Sequence, residues 1–86
     1  MTVEVWCVVY ELIAETTLHR IGQPVLSHAG ASASLPDFDW ERKPTTKPKV
    51  QVVIRKTDET RDADDAILAC RDAVQRNYPH YTVWRN

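Results

Sequence analysis

The run KVQVVIRK (residues 49–56), TDETRDADD (57–65), AILACRDAVQRN (66–77) and YPHYTVWRN (78–86) reads as strand, acidic turn, helix, strand. In the first piece Val50, Val52 and Ile54 point one way and Gln51, Val53 and Arg55 the other, the two-residue period of a strand. Asp62 is placed to cap a helix, and Asp64 and Asp65 fall in its first turn, where the helix dipole favours anions. Ala63, Ala66, Ile67, Cys70, Ala73 and Val74 form an apolar stripe at three- and four-residue spacing. Their small side chains let the helix sit close on a sheet. Leu68 falls on the opposite side and is expected to be exposed. Pro79 ends the helix. A strand over 80–85 follows, with Tyr81 and Val83 on one face and Thr82 and Trp84 on the other. A right-handed crossover through the helix makes the 49–56 and 80–85 strands parallel.

Outward from this unit, TVEVWCVVYELI (2–13) is rich in β-branched and aromatic residues and reads as a strand. Val3, Val5, Cys7 and Val9 form one face, and Trp6, Val8, Tyr10 and Leu12 the other. Being apolar on both faces, it belongs in the centre of the sheet, as the filler between the two parallel strands. Residues 11–20 also admit a helical reading. The segment 22–48 holds both glycines and Pro24, Pro36, Pro44 and Pro48, and reads as a long irregular loop or a hairpin insertion turning at Gly22–Gln23–Pro24. The expectation is one domain over 1–86: a small α+β fold, a mostly antiparallel sheet of three to five strands with one helix on one face and a C-terminal β-α-β unit.

Composition narrows the function classes. The chain has 86 residues, net charge −1 and no apolar run near the ~18 residues that span a bilayer. The N-terminal residues lack a basic region and carry Glu4 and Glu11, unlike a signal peptide. A cytoplasmic location, with Cys7 and Cys70 reduced, is the expectation, a disulfide between them being the lesser alternative. Arg42, Lys43, Lys47, Lys49, Arg55 and Lys56 form a basic block with no acid among them, and Asp58, Glu59, Asp62, Asp64 and Asp65 an acidic block beside it. Mutual pairing across neighbouring loops is the expected use of both.

No chemistry outweighs its structural alternative. An EF-hand loop starting at Asp58 needs Gly at 63 and Glu at 69, and both are alanine. Cys7, His19, His28, Cys70 and His80 lack the paired spacing of a zinc site. There is no phosphate-cradling glycine loop and no nucleophile elbow. No catalytic residue, metal or cofactor is therefore assigned, and the expectation is a protein that is not an enzyme. One helix covers one sheet face, leaving the other to the 22–48 segment, a second copy or another protein. Trp6, Tyr10 and Trp84 are expected on that other face. Phe38 and Trp40, alternating with Asp37, Asp39 and Glu41, either dock onto a partner or fold back on the domain's own sheet.

The reading is a small domain that binds, and through binding inhibits, a larger protein or complex. Its expected contacts are Phe38, Trp40, Arg42, Lys43, Asp58, Asp62, Asp64, Asp65, Tyr81 and Trp84. In size and architecture alone it is similar to phage- and plasmid-encoded inhibitors of host defence such as anti-CRISPR proteins. A homodimer is compatible with this reading, and no membrane partner is expected. The second reading is a single-stranded nucleic-acid binder using the aromatic sheet face and the basic 42–56 segment. The third is a small enzyme or redox protein acting through a cysteine.

Overall fold

A computed structural model describes residues 1–41 and 47–84. The chain forms β1 (Thr2–Ala14), β2 (Thr17–Gly30), β3 (Asp37–Glu41), β4 (Lys49–Arg55), α1 (Ala63–Asn77) and β5 (Thr82–Val83). The five strands make one curled sheet in the order β3-β4-β1-β2-β5. All neighbours are antiparallel except β2 and β5, which pair only at Thr17–Thr82 and Leu18–Val83. This is the expected small α+β fold with a single helix on one face.

The β4-α1-β5 unit forms as its sequence dictates. Asp62 caps the helix, its carboxylate accepting from the Asp65 N–H at 3.0 Å. Tyr78 ends it, donating its N–H to the Val74 carbonyl at 2.8 Å, one residue before Pro79. Ala66, Cys70 and Val74 are buried against the sheet, while Leu68 is exposed. β4 and β5 point the same way, since each runs antiparallel to a neighbour in a continuous chain of pairs or parallel to β2. Both β1 and β2 lie between them, so β1 is not the sole filler.

Three expectations need correction. Residues 11–14 and 17–20 are strand, and the hairpin turns at Glu15–Thr16, not at Gly22–Pro24. The 22–48 segment is not one irregular loop: β2 continues to Gly30 and β3 occupies Asp37–Glu41. β2 absorbs its chain-breaking residues in a bulge. Cys7 pairs with Val25 and Val9 with Ile21, so Gly22, Gln23 and Pro24 together stand opposite Val8. Gly22 adopts φ +72° there, a region that a side chain disfavours.

The third correction concerns the faces of β1. Trp6, Val8 and Tyr10 lie beneath α1 with Leu18, Val50, Val52, Ile54, Ala66, Cys70, Val74 and Val83. The physical reason is volume. A stripe of Ala and Cys on the helix leaves room that only large strand residues fill at interior density. Trp6 is held further by its indole N–H, which donates to the Thr60 carbonyl at 2.7 Å and ties β1 to the approach of the helix.

Candidate functional site

The register fixes what the helix-free face presents. Directly opposed residues share a face, so Val3, Val5, Cys7 and Val9 of β1 align with Ala29, Ser27, Val25 and Ile21 of β2. On the other side of β1, Arg55, Val53 and Gln51 of β4 align with Val5, Cys7 and Val9. The centre is thus aliphatic. Val3, Cys7, Val9, Ile21 and Val53 are half-buried, and Val25 is 60% exposed. Among the described residues no element lies over this face, because the one helix packs on the other.

Its margin is polar and ordered. The β3 residues pointing to this face are Asp37, Asp39 and Glu41, opposite Val53, Gln51 and Lys49. All three are acids. At the hairpin end, Glu41, Lys49, Glu11 and His19 form a row across four strands. Trp84 completes it: its ring meets His19 edge-on at 5.2 Å, and its backbone N–H donates to the Leu18 carbonyl at 3.0 Å. Trp84 is 48% exposed. At the opposite end Arg55 reaches across β1 to the Ala31 carbonyl (3.3 Å), and Val5 beside it is fully buried.

The expected contact residues do not gather in one place. Phe38 and Trp40 turn toward the helix side of the sheet. Phe38 stacks edge-on against Tyr78 (5.8 Å), Trp40 against Tyr78 (5.4 Å), and Tyr78 contacts Tyr81 (5.7 Å). All four rings pack on the core, so Phe38, Trp40 and Tyr81 act as a lid over the C-terminal end of α1. Trp84 is on the other face. Asp62, Asp64 and Asp65 stand at the N-terminal end of α1, and Asp58 lies in the turn before it. The Asp62 charge beside it, with burial and Asp64 adding less, holds the Asp65 carboxyl above the usual range. Asp58 also lines a shallow cavity of about 430 Å³ with Glu4, Lys56, Thr57 and Arg61. Arg42 and Lys43 lie outside the described residues.

Lys56 approaches Glu4 of β1 at 4.0 Å, and Arg76 pairs with Asp72 one helical turn away. The stacking expectation changes. Among the described residues the sheet offers no aromatic platform: Trp6 and Tyr10 are buried under the helix, and the centre of the helix-free face is aliphatic, with Trp84 and His19 at one corner.

The cysteines are both free. Cys7 stands on the helix-free face, and Cys70 is fully buried on the sheet-facing side of α1. Burial, with a smaller contribution from Cys7, pushes the Cys70 thiol up to about 12, which leaves it protonated near neutral pH. Among the described residues no three His, Cys, Asp or Glu side chains converge as metal ligands would.

Sequence reasoning missed the aliphatic centre and the acidic margin of β3 as a joint surface. The available signal was the phase of β3: once Phe38 and Trp40 turn inward, Asp37, Asp39 and Glu41 must turn outward together. No helix among the described residues is long and apolar enough to cross a membrane. No family model, no curated protein and no solved structure matches this chain.

Proposed function

We propose that the chain is a protein-binding domain whose helix-free sheet face docks on a larger protein. The observation that carries this reading is an aliphatic centre, Val3, Cys7, Val9, Ile21, Val25 and Val53, over which no element lies among the described residues and which a polar margin encloses. That is the anatomy of an interface: an apolar middle that excludes water and a rim that sets partner choice. Trp84, half-exposed at the corner and steadied by His19, is the aromatic anchor. The three acids of β3 call for a partner with Lys or Arg beside its apolar patch, since opposed charge steers association. The same acids disfavour a phosphate backbone along that edge, which ranks nucleic acid below protein as the partner.

The test is capture of the partner by wild-type and variant chains, read by yield of the same captured protein. Trp84→Ala and the double variant Asp37→Lys with Asp39→Lys are expected to lose it. Leu68→Lys, on the exposed side of the helix, is expected to retain it. Undiminished capture by both face variants refutes this site.

A further inference from the structure

The outer edge of β2 is built to pair with itself, and we propose that two copies of the chain join there into one continuous sheet. Among the described residues β5 covers only Thr17 and Leu18, with Trp84 bonded to Leu18, so β2 beyond that point is an edge strand. The alternation of its backbone groups follows from printed bonds. Ala31 donates to the Met1 carbonyl and Lys56 to the Glu4 carbonyl, so odd-numbered β1 residues face β2 and even-numbered ones face β4. With Val3 opposite Ala29, Val5 opposite Ser27 and Cys7 opposite Val25, the β2 residues bonded inward are 25, 27 and 29. Leu26, His28 and Gly30 therefore turn their backbone groups outward.

Antiparallel self-pairing about a two-fold axis at Ser27 satisfies this edge. Leu26 exchanges both bonds with the partner's His28, and His28 with the partner's Leu26. The next position sets Pro24 against the partner's Gly30. Pro24 has no N–H to give, and the Gly30 carbonyl needs none, since it already accepts from Ala33 at 2.9 Å. Pro24, the residue that otherwise blunts an edge strand, is buried within its own chain in the bulge and stands at the end of the pairing.

The side chains agree. Residues 21–36, IGQPVLSHAGASASLP, contain no Asp, Glu, Lys or Arg in a chain that is 27% charged. The charged gatekeepers that keep edges apart are missing from this edge alone of the two, because β3 carries Asp37, Asp39 and Glu41. Val25 and Leu26 are adjacent, apolar and 60% and 42% exposed in the single chain. In the paired register Val25 faces the partner's Ala29, Leu26 faces the partner's His28, and no charges of like sign are opposed near neutral pH. The interface is isologous and closes at two copies, so it does not propagate into a fibre.

Sedimentation of the purified chain across a hundred-fold concentration range tests the association, with twice the 9.9 kDa chain mass expected at the upper end. Ser27→Asp sets two carboxylates against each other at the axis and is expected to return the chain mass with an unchanged far-UV spectrum. Ser27→Cys, in a Cys7→Ala background, is expected to form an intermolecular disulfide under mild oxidation, faster than Val25→Cys in the same background. A wild type that stays at the chain mass throughout overturns the proposal. So does a dimer that survives Ser27→Asp, or one in which Val25→Cys links faster than Ser27→Cys.

Discussion

The hydroxyl of Tyr10 is buried at 1% residue exposure and finds no hydrogen-bond partner among the described residues. Tyr10→Phe removes that oxygen and nothing else. An unsatisfied buried hydroxyl costs about 1–3 kcal/mol, because its bonds to water are lost and not replaced. Deleting the oxygen also forfeits a few van der Waals contacts at roughly 0.1–0.2 kcal/mol each. The net expectation is a gain of about 1 kcal/mol. For a chain this short, a urea dependence near 1 kcal/mol per molar converts that gain into a midpoint about 1 M higher. In a thermal melt the corresponding rise is about 4–8 °C. Urea unfolding followed by far-UV circular dichroism measures the first directly. The variant also reports on alkali. Burial raises the Tyr10 pKa well above that of a free phenol, so above pH ~10 only the unfolded chain ionises there and stability falls as pH rises. Tyr10→Phe lacks this fall. A variant less stable than the parent by ~1 kcal/mol refutes the reasoning, since it means that the hydroxyl is bonded in solution, for instance to a trapped water.

Four further outcomes are expected. Cys70 has its pKa raised by burial from 9.0 to about 12, so the unfolded chain releases its proton first; stability should fall by about 1.4 kcal/mol per pH unit between those values, and Cys70→Ala should remove that slope in pH-stepped urea titrations. Trp6→Phe leaves the Thr60 carbonyl without its 2.7 Å donor and should cost at least about 1–3 kcal/mol, read by the urea midpoint. Asp62→Ala removes the cap on α1 and should cost about 1 kcal/mol, while Asp62→Asn should restore most of it. In the native chain a thiol reagent should modify Cys7 and leave Cys70 untouched until urea is added, and mass spectrometry without reductant should show both as thiols.

How far the sequence could be read depended on whether each signal was local. The β4-α1-β5 unit was legible because Asp62, the Ala66–Cys70–Val74 stripe and Pro79 act within one or two helical turns. The course of β2 was not, because Gly22 and Pro24 signal a turn in isolation. Only the pairing with β1 turns them into a bulge, and only the lack of a neighbour beyond β5 makes a proline harmless there. The faces of β1 were ambiguous for a related reason. Both are apolar, so alternation gives the two sets but not which one meets the helix. The volume match between Trp6 and Tyr10 and a small-residue helix decides it. At the candidate site, Trp84 was legible as an exposed aromatic. For Phe38 and Trp40 the sequence left two uses open, a partner or the domain's own sheet, because the rings they meet, Tyr78 and Tyr81, lie more than thirty residues away in sequence, just beyond the C-terminal end of the helix.

The central place of β1 also sets an order of events during synthesis. β1 leaves the ribosome with β2 close behind it, so one of its edges is satisfied early. Its other neighbour, β4, ends at Arg55, and α1, which seals Trp6 and Tyr10, ends at Asn77. At about 5–20 residues per second, the hairpin therefore waits some seconds with one edge bare and both broad faces wet. Nascent chains paused between Gly30 and Arg55 are the stage at which a holdase would find most to bind, and the closing of the helix over β1 is the step that ends that exposure.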